Sequence, residues 1–161
     1  MTIERGYHRV VENFNLEIDK GSIVHLEGKN GSGKSSILRT VSGLFPLYEG
    51  SVKWSGSPIE SIDSYADNVN YLGHFPGLSP ELTAIENLVF YRQLSGSKKP
   101  ALEVHEALKM CGADYLRSKY VKHLSAGERQ KLAVARLLMF NCPLWLLDEP
   151  FNSLDSDTQK L

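Results

Sequence analysis

The sequence has little of what would mark a secreted, membrane-spanning or nucleic-acid-binding protein. Its 161 residues include only two cysteines, Cys111 and Cys142, which lack the spacing of metal ligands and are expected to be packing thiols. No apolar run reaches the roughly 18–20 residues that span a bilayer, and the N-terminus does not resemble a signal peptide. The formal net charge of −1 gives no reason to expect a nucleic-acid partner. We therefore predict a globular protein of the reducing cytosol.

The first half of the sequence alternates between strand and helix patterns. Short runs rich in β-branched residues, bounded by turn residues, predict strands at 23–27, 50–56 and 69–72. Residues 34–41 follow a glycine-rich segment and predict a helix that Gly43 closes. Strands that alternate with helices indicate an α/β fold.

The second half begins with helical patterns and ends in a strand. Apolar side chains recur at helical spacing, which predicts a helical insert of about residues 79–141. The apolar run at 143–150 predicts a strand buried on both faces, as in a parallel sheet covered by helices. The sequence thus predicts one domain, whose α/β core of residues 1–78 and 142–161 is interrupted by the insert.

The segment after the first predicted strand fits the phosphate-loop pattern G-x-x-x-x-G-K-[ST] at every fixed position. Its glycines let backbone N–H groups point inward at a phosphate, and the following helix adds the partial positive charge of its N-terminus. Lys34 can bridge the β- and γ-phosphate oxygens, and Ser35 can offer its hydroxyl to Mg²⁺. A glycine-rich turn before an ordinary helix is the alternative. The predicted ATP-binding residues are Gly28, Lys29, Asn30, Gly31, Ser32, Gly33, Lys34, Ser35 and Ser36.

Two carboxylates, Asp148 and Glu149, end the last predicted strand. Burying such charges without partners costs several kcal/mol, so their position needs a reason. The strand ends of a doubly wound sheet face the ligand crevice. We predict that Asp148 holds Mg²⁺ and that Glu149 orients and deprotonates the attacking water. The alternative is an acidic strand end that faces solvent.

A third motif, LSAGE, precedes a predicted helix. Ser125 and Glu128 have the spacing of a capping box, which stabilises a helix start by about 1 kcal/mol. Ser125, Ala126 and Gly127 also present a hydroxyl and small-residue backbone at a helix N-terminus, which suits a phosphate. Both interpretations can hold together.

These motifs, followed by NSLD at 152–155, have the order and spacing of the ABC transporter ATPases, which the chain resembles over nearly its whole length. The resemblance implies a P-loop NTPase sandwich with a mostly parallel core sheet and a helical subdomain. It also implies a homodimer with two shared ATP sites, bound to a multi-spanning membrane permease. In that dimer Ser125, Ala126, Gly127 and Glu128 would form the signature motif that contacts the opposite subunit's γ-phosphate, and Asp155 would belong to the D-loop at the interface.

A narrower resemblance is carried by YLGHFPGLSPELTAIENLVFY, GSVKWSGSPI and PLWLLDEPFNSLD. These segments are similar to the ATP-binding subunits of the haem exporters in bacterial cytochrome c maturation. The resemblance implies an ATPase at the cytoplasmic face of the inner membrane, with haem or a haem chaperone as an indirect partner. His74 stands where most ABC ATPases carry a glutamine that touches Mg²⁺, and Phe75 departs from the group, where a glutamine follows the histidine.

Relative to these families the chain is short at both ends. It stops soon after Asp155, so we expect C-terminal strands and the switch histidine to be missing, and ATP hydrolysis to be poor. Tyr7 is the nearest candidate for the aromatic residue that stacks on adenine. Two alternatives stay open: an ABC subunit for another substrate, and a truncated nucleotide-binding protein without efficient hydrolysis. ABC ATPases of DNA repair or translation carry long inserts or tandem cassettes, for which the chain has no room.

Overall fold

The computed structural model describes residues 1–95 and 101–150, which fall into a unit of Met1–Ala66 and a second unit that begins at Asp67. The first unit contains two antiparallel hairpins and one helix. Its elements are β1 (Ile3–Arg5), β2 (His8–Val11), α1 (Lys34–Val41), β3 (Lys53–Trp54) and β4 (Ser57–Pro58).

The core of the first unit forms where α1 meets the first hairpin. Ile3 of β1, Val11 of β2 and Ile37 of α1 are buried together. Burying such a side chain stabilises the fold by about 1.5–3 kcal/mol. The predicted helix at 34–41 is confirmed, with Gly43 in a left-handed conformation just beyond it.

The strand predicted at 23–27 is wrong. Residues 12–33, all of them described, contain no helix or strand, and Ile23 is 99% exposed. Only Leu26 of the segment packs against the core. A β-branched run becomes a strand only where another strand supplies the ladder hydrogen bonds. Within the described part of this unit, β1 pairs with β2 and β3 with β4, so no strand pairs with this segment.

The strand predicted at 50–56 is shorter than expected. It is reduced to Lys53–Trp54, because the next two residues turn the chain into β4. Ser55 and Gly56 both have positive φ, +51° and +85°, as a two-residue hairpin turn of type I′ requires.

The described part of the second unit combines three α-helices with a parallel strand pair. Its elements are β5 (Val69–Leu72), α2 (Ala84–Leu94), α3 (Val104–Met110), α4 (Ala126–Leu138) and β6 (Leu144–Leu147). Strands β5 and β6 run in register from Val69 opposite Leu144 to Leu72 opposite Leu147. Each helix starts with a capping box in which a glutamate at the third helical position bonds back to the cap residue. None of the helices in the described ranges has the length and apolarity that a membrane span requires.

Helix α4 lies between the other helices and the strand pair. Its Leu132 packs with Leu88 of α2 and Leu108 of α3 in the main core, and all three side chains are fully buried. Its Ala133 and Leu137 pack on Leu72 of β5. One helix therefore fixes the strand ends relative to the helical layer.

The prediction that the last strand is buried on both faces is wrong for the described residues. Leu146 of β6 is buried, whereas Trp145 and Leu147 are 40% and 37% exposed. This alternation follows from the two-residue period of a strand whose second face is open.

Candidate functional site

The predicted phosphate loop leads directly into α1 through residues with left-handed backbone. Gly31 and Gly33 have φ of +83° and +92°, and Gly33 is the N-cap of the helix. The Ser32 N–H donates to the Lys29 carbonyl at 3.1 Å, and the Ile37 N–H donates to the Gly33 carbonyl at 2.9 Å. The loop thus makes a tight turn and then opens a helix.

Lack of space also requires a glycine at position 33 of the loop. A Cβ at Gly33 would lie 2.5 Å from Cγ2 of Val11 and 2.9 Å from the carbonyl oxygen of Val10. A Cβ at Gly28 would lie 2.6 Å from Oγ of Ser32. The loop backbone therefore lies against β2 at Gly33, where no side chain fits, whereas the Ser32 side chain could move away from a side chain at Gly28.

Lys34 places its ammonium group over the loop. Its Nζ donates to the carbonyl oxygens of Gly28, at 2.7 Å, and Lys29, at 3.0 Å. Ser35 and the buried Ser36 follow in the first turn of α1, which contains no acidic residue. A lysine, a glycine turn and an uncompensated helix N-terminus together suit an anion.

Tyr7 is fully exposed in the turn between β1 and β2. The structure therefore gives its ring an open face and does not test its predicted contact with adenine.

The predicted magnesium ligand Asp148 and the predicted catalytic residue Glu149 lie at the end of β6. The Asp148 N–H donates to the Leu72 carbonyl at 2.8 Å, and the Asp148 side chain is buried. Glu149 has a left-handed backbone with φ of +54°, which costs a non-glycine residue about 1–2 kcal/mol. The amide of Gln130 on α4 donates to the Pro150 carbonyl at 2.7 Å. Contacts from β5 and α4 thus hold this strained turn.

His74 meets Glu149 at the same edge of the strand pair. Its Nδ1 lies 3.5 Å from Oε2 of Glu149, and the side chains are 60% and 39% exposed. Its ring makes an edge-to-face contact with Phe75, with 5.2 Å between centroids. Leu72 and Leu147 are register partners, and the two residues lie two positions beyond them. The meeting of the two side chains therefore follows from the strand register, which the sequence alone does not give.

The segment that follows His74 is fastened to α2 and α4 by residues that the sequence did not single out. The Tyr91 hydroxyl donates to the Gly77 carbonyl, and the Arg136 guanidinium stacks 4.6 Å from the centre of the Tyr91 ring. Asn87, almost fully buried, accepts from the Ser79 N–H at 2.8 Å and donates to the Ser79 carbonyl at 3.0 Å.

The predicted signature residues form the start of α4. Ser125 is the N-cap, and its Oγ accepts from the Glu128 N–H at 3.2 Å, while Oε2 of Glu128 accepts from the Ser125 N–H at 2.8 Å. This bond from the Ser125 backbone lowers the pKa of Glu128, and the Lys119 ammonium, 3.6 Å from Oε1, acts in the same direction. Ala126 is exposed and Gly127 half-buried. The capping-box interpretation is confirmed, and contact with a nucleotide stays a prediction.

The predicted magnesium ligands are both hard oxygens, the hydroxyl of Ser35 in the first unit and the carboxylate of Asp148 in the second. Oxygen ligands of this kind suit Mg²⁺, which proteins commonly hold with one or two side chains while phosphate and water supply the remaining ligands. Among residues 1–95 and 101–150, no three His, Cys, Asp or Glu side chains group as a metal site of their own. Asp155, predicted for the D-loop, lies outside the described residues.

Comparison with known sequences gives a consistent set of relatives. The family described as "ABC transporter" matches residues 11–152. The chain is 39% identical to the cytochrome c biogenesis ATP-binding export protein CcmA of Vibrio vulnificus, across 100% of this chain and 79% of the relative. It is 40% identical to the protein of the same name from Nitrosococcus oceani, across 94% of this chain and 69% of the relative.

Solved structures resemble the chain over nearly its whole length. A putative ABC transporter ATP-binding protein from Pyrococcus furiosus has a TM-score of 0.82 at 25% identity, covering 97% of this chain and 76% of that one. A dimeric ATP-binding cassette in a post-hydrolysis state, bound to ADP and Pi, has a TM-score of 0.82 at 28% identity. It covers 99% of this chain and 75% of the cassette chain.

Proposed function

This chain belongs to the ABC transporter family and has the fold of its ATP-binding cassettes, and we propose that it is the ATP-hydrolysing subunit of a haem export or release complex in bacterial cytochrome c biogenesis. ATP binding is supported mainly by the geometry of the phosphate loop, residues 28–35. In this loop Gly33 packs against β2, and the Lys34 ammonium lies over the turn. The relatives named for cytochrome c biogenesis support the export part.

Nucleotide binding follows from the chemistry of the loop. The inward-facing N–H groups and the N-terminus of α1 would hold the β-phosphate, and Lys34 would exchange its bonds to Gly28 and Lys29 for phosphate oxygens. Ser35 and Asp148 would hold Mg²⁺, which neutralises charge on the phosphates when bound. Glu149 would accept a proton from the attacking water and orient it toward the γ-phosphate.

The partners follow from the same family membership. The post-hydrolysis cassette is a dimer, which supports a homodimer here in which Ser125, Ala126, Gly127 and Glu128 face the partner's nucleotide. Asp155 would lie at the same interface. A multi-spanning permease would anchor the dimer at the cytoplasmic face of the inner membrane and carry the haem pathway.

The first test measures ATP binding. We expect Lys34→Ala to abolish binding of a fluorescent ATP analogue, because the ammonium group that lies over the loop is removed. Lys53→Ala on β3, an exposed lysine of the same unit, is the matched control and should bind as the unmodified chain does. Retained binding by Lys34→Ala would refute the nucleotide site.

The second test measures hydrolysis and dimerisation together. Glu149→Gln should stop turnover while ATP still binds, and an ATP-bound dimer should accumulate in size-exclusion chromatography. The exposed Glu17→Gln serves as control. An unchanged rate and dimer population would favour a nucleotide-binding protein without efficient hydrolysis.

The third test concerns the cargo. A tagged chain purified from bacterial membranes should bring with it a multi-spanning subunit, and its ATPase rate should rise when a haem-loaded chaperone is added. Association with a permease whose ATPase responds to another solute and not to haem would refute the haem assignment.

A further inference from the structure

Two neighbouring parallel strands deliver a histidine and a glutamate to one edge. Strand β5 ends at Leu72 and β6 at Leu147, which are register partners, and His74 and Glu149 each follow two residues later. Their closest nitrogen and oxygen, Nδ1 and Oε2, are 3.5 Å apart. This is roughly half an ångström longer than a good hydrogen bond. Catalytic hydrogen bonds are often this loose before substrate binds.

Contacts on both sides fix the backbone around this pair. On the glutamate side, the Asp148 N–H bonds to Leu72 and Gln130 bonds to the Pro150 carbonyl, so the left-handed turn at Glu149 is held at both ends. On the histidine side, the Tyr91 hydroxyl bonds to the Gly77 carbonyl. The fold therefore holds the backbone on both sides of the contact between His74 and Glu149.

We propose that His74 is a positioning residue for Glu149, holding its carboxylate in the orientation from which it acts on the attacking water. The proposal rests on the proposed role of Glu149 in hydrolysis. A glutamate has three side-chain torsions, and a contact between Nδ1 and Oε2 restricts them. The carboxylate then approaches the attacking water from a defined direction.

The exposure of His74 and Glu149 allows a positioning role of His74 to be distinguished from a role in stability. Ion pairs this exposed add little to stability, so loss of the imidazole should leave folding unchanged. A positioning role instead predicts a lower kcat at an unchanged KM for ATP, because Glu149 acts only on the attacking water.

The test compares three substitutions in the full chain with its partner subunits. His74→Ala should lower kcat roughly 3- to 30-fold, as expected for loss of one coupled contact. His74→Asn should restore most of the rate, because the Asn amide nitrogen occupies the position of Nδ1. His74→Gln places its amide farther out, near Nε2, and should restore less. His105→Ala, an exposed histidine on α3, is the control and should be unchanged.

Combining His74→Ala with Glu149→Gln distinguishes the proposed catalytic role of Glu149 from the proposed positioning role of His74. If Glu149→Gln keeps full turnover, the proposed function of that carboxylate fails. If it stops turnover while His74→Ala stays within about twofold of normal, only the role of His74 is overturned. The role of His74 is also overturned if His74→Ala lowers the ATPase rate by the same factor in the unmodified chain and in the Glu149→Gln variant. A readout independent of activity is the ¹⁵N resonance of His74 Nδ1, which should shift on Glu149→Gln while that of His105 does not.

Discussion

Alanine at Gly33 is a direct test of the phosphate-loop geometry. The native φ of +92° would cost an alanine about 1–2 kcal/mol. Its Cβ would also lie 2.5 Å from the Val11 side chain and 2.9 Å from the Val10 carbonyl, which belongs to β2 and cannot rotate away. Relieving such an overlap costs about 1–3 kcal/mol. We expect Gly33→Ala to lower the free energy of unfolding by about 2–5 kcal/mol in total.

The matched control is Gly31→Ala in the same loop. Gly31 has nearly the same φ, +83°, but a Cβ there would meet nothing within 4 Å. Gly31→Ala should therefore lower the free energy of unfolding only by the cost of placing an alanine at positive φ, about 1–2 kcal/mol. Urea unfolding followed by circular dichroism measures both variants. Equal destabilisation by the two substitutions would show that the loop does not lie against β2 as described.

Three further predictions concern the second unit. Asn87→Ala should destabilise by about 2–4 kcal/mol in urea, because several buried hydrogen bonds are lost together; a change below about 0.5 kcal/mol would contradict this. The folded-state pKa of Glu128 is lowered, chiefly by the Ser125 N–H, so its stabilisation is complete above the ordinary value of 4.5 and is lost as the pH falls through the lowered pKa. The difference in unfolding free energy between the unmodified chain and Glu128→Gln should thus vanish in acid, and a constant difference would refute it. Burial raises the pKa of Cys111 to about 11, so in a Cys142→Ser background labelling at pH 8 should be roughly a hundredfold slower than in the unfolded chain. Equal rates would show an accessible thiol.

The features that sequence predicted well are those fixed within a few residues. The start of α4 follows from Ser125 and Glu128 alone, since each satisfies the other's backbone N–H. The phosphate loop is likewise set by its own glycines and by Lys34. The α/β fold with the cassette architecture is confirmed by the solved relatives. The bounds of the helical insert, residues 79–141, stay a prediction.

The features that sequence missed depend on distant partners. A strand at 23–27 needs a ladder neighbour that local composition cannot supply, and the pattern at 50–56 does not reveal that Ser55 adopts positive φ. The meeting of His74 with Glu149 depends on the register between β5 and β6, which only the folded chain fixes. Asn87, Tyr91 and Arg136 act through backbone carbonyls and N–H groups, for which no motif exists.

The pairing of β5 with β6 also has a consequence for how the protein is made. Register partners are about 75 residues apart along the chain, with three helices between them. At about 5–20 residues per second, a ribosome needs roughly 4–15 s to add β6 after β5. Helices form in microseconds once they are synthesised, so α2 and α3 are available before β5 acquires its neighbour, whereas α4 ends only six residues before β6 begins. During that interval β5 presents open backbone groups to other chains, and a trigger-factor-type chaperone that covers this strand should raise the yield of folded protein.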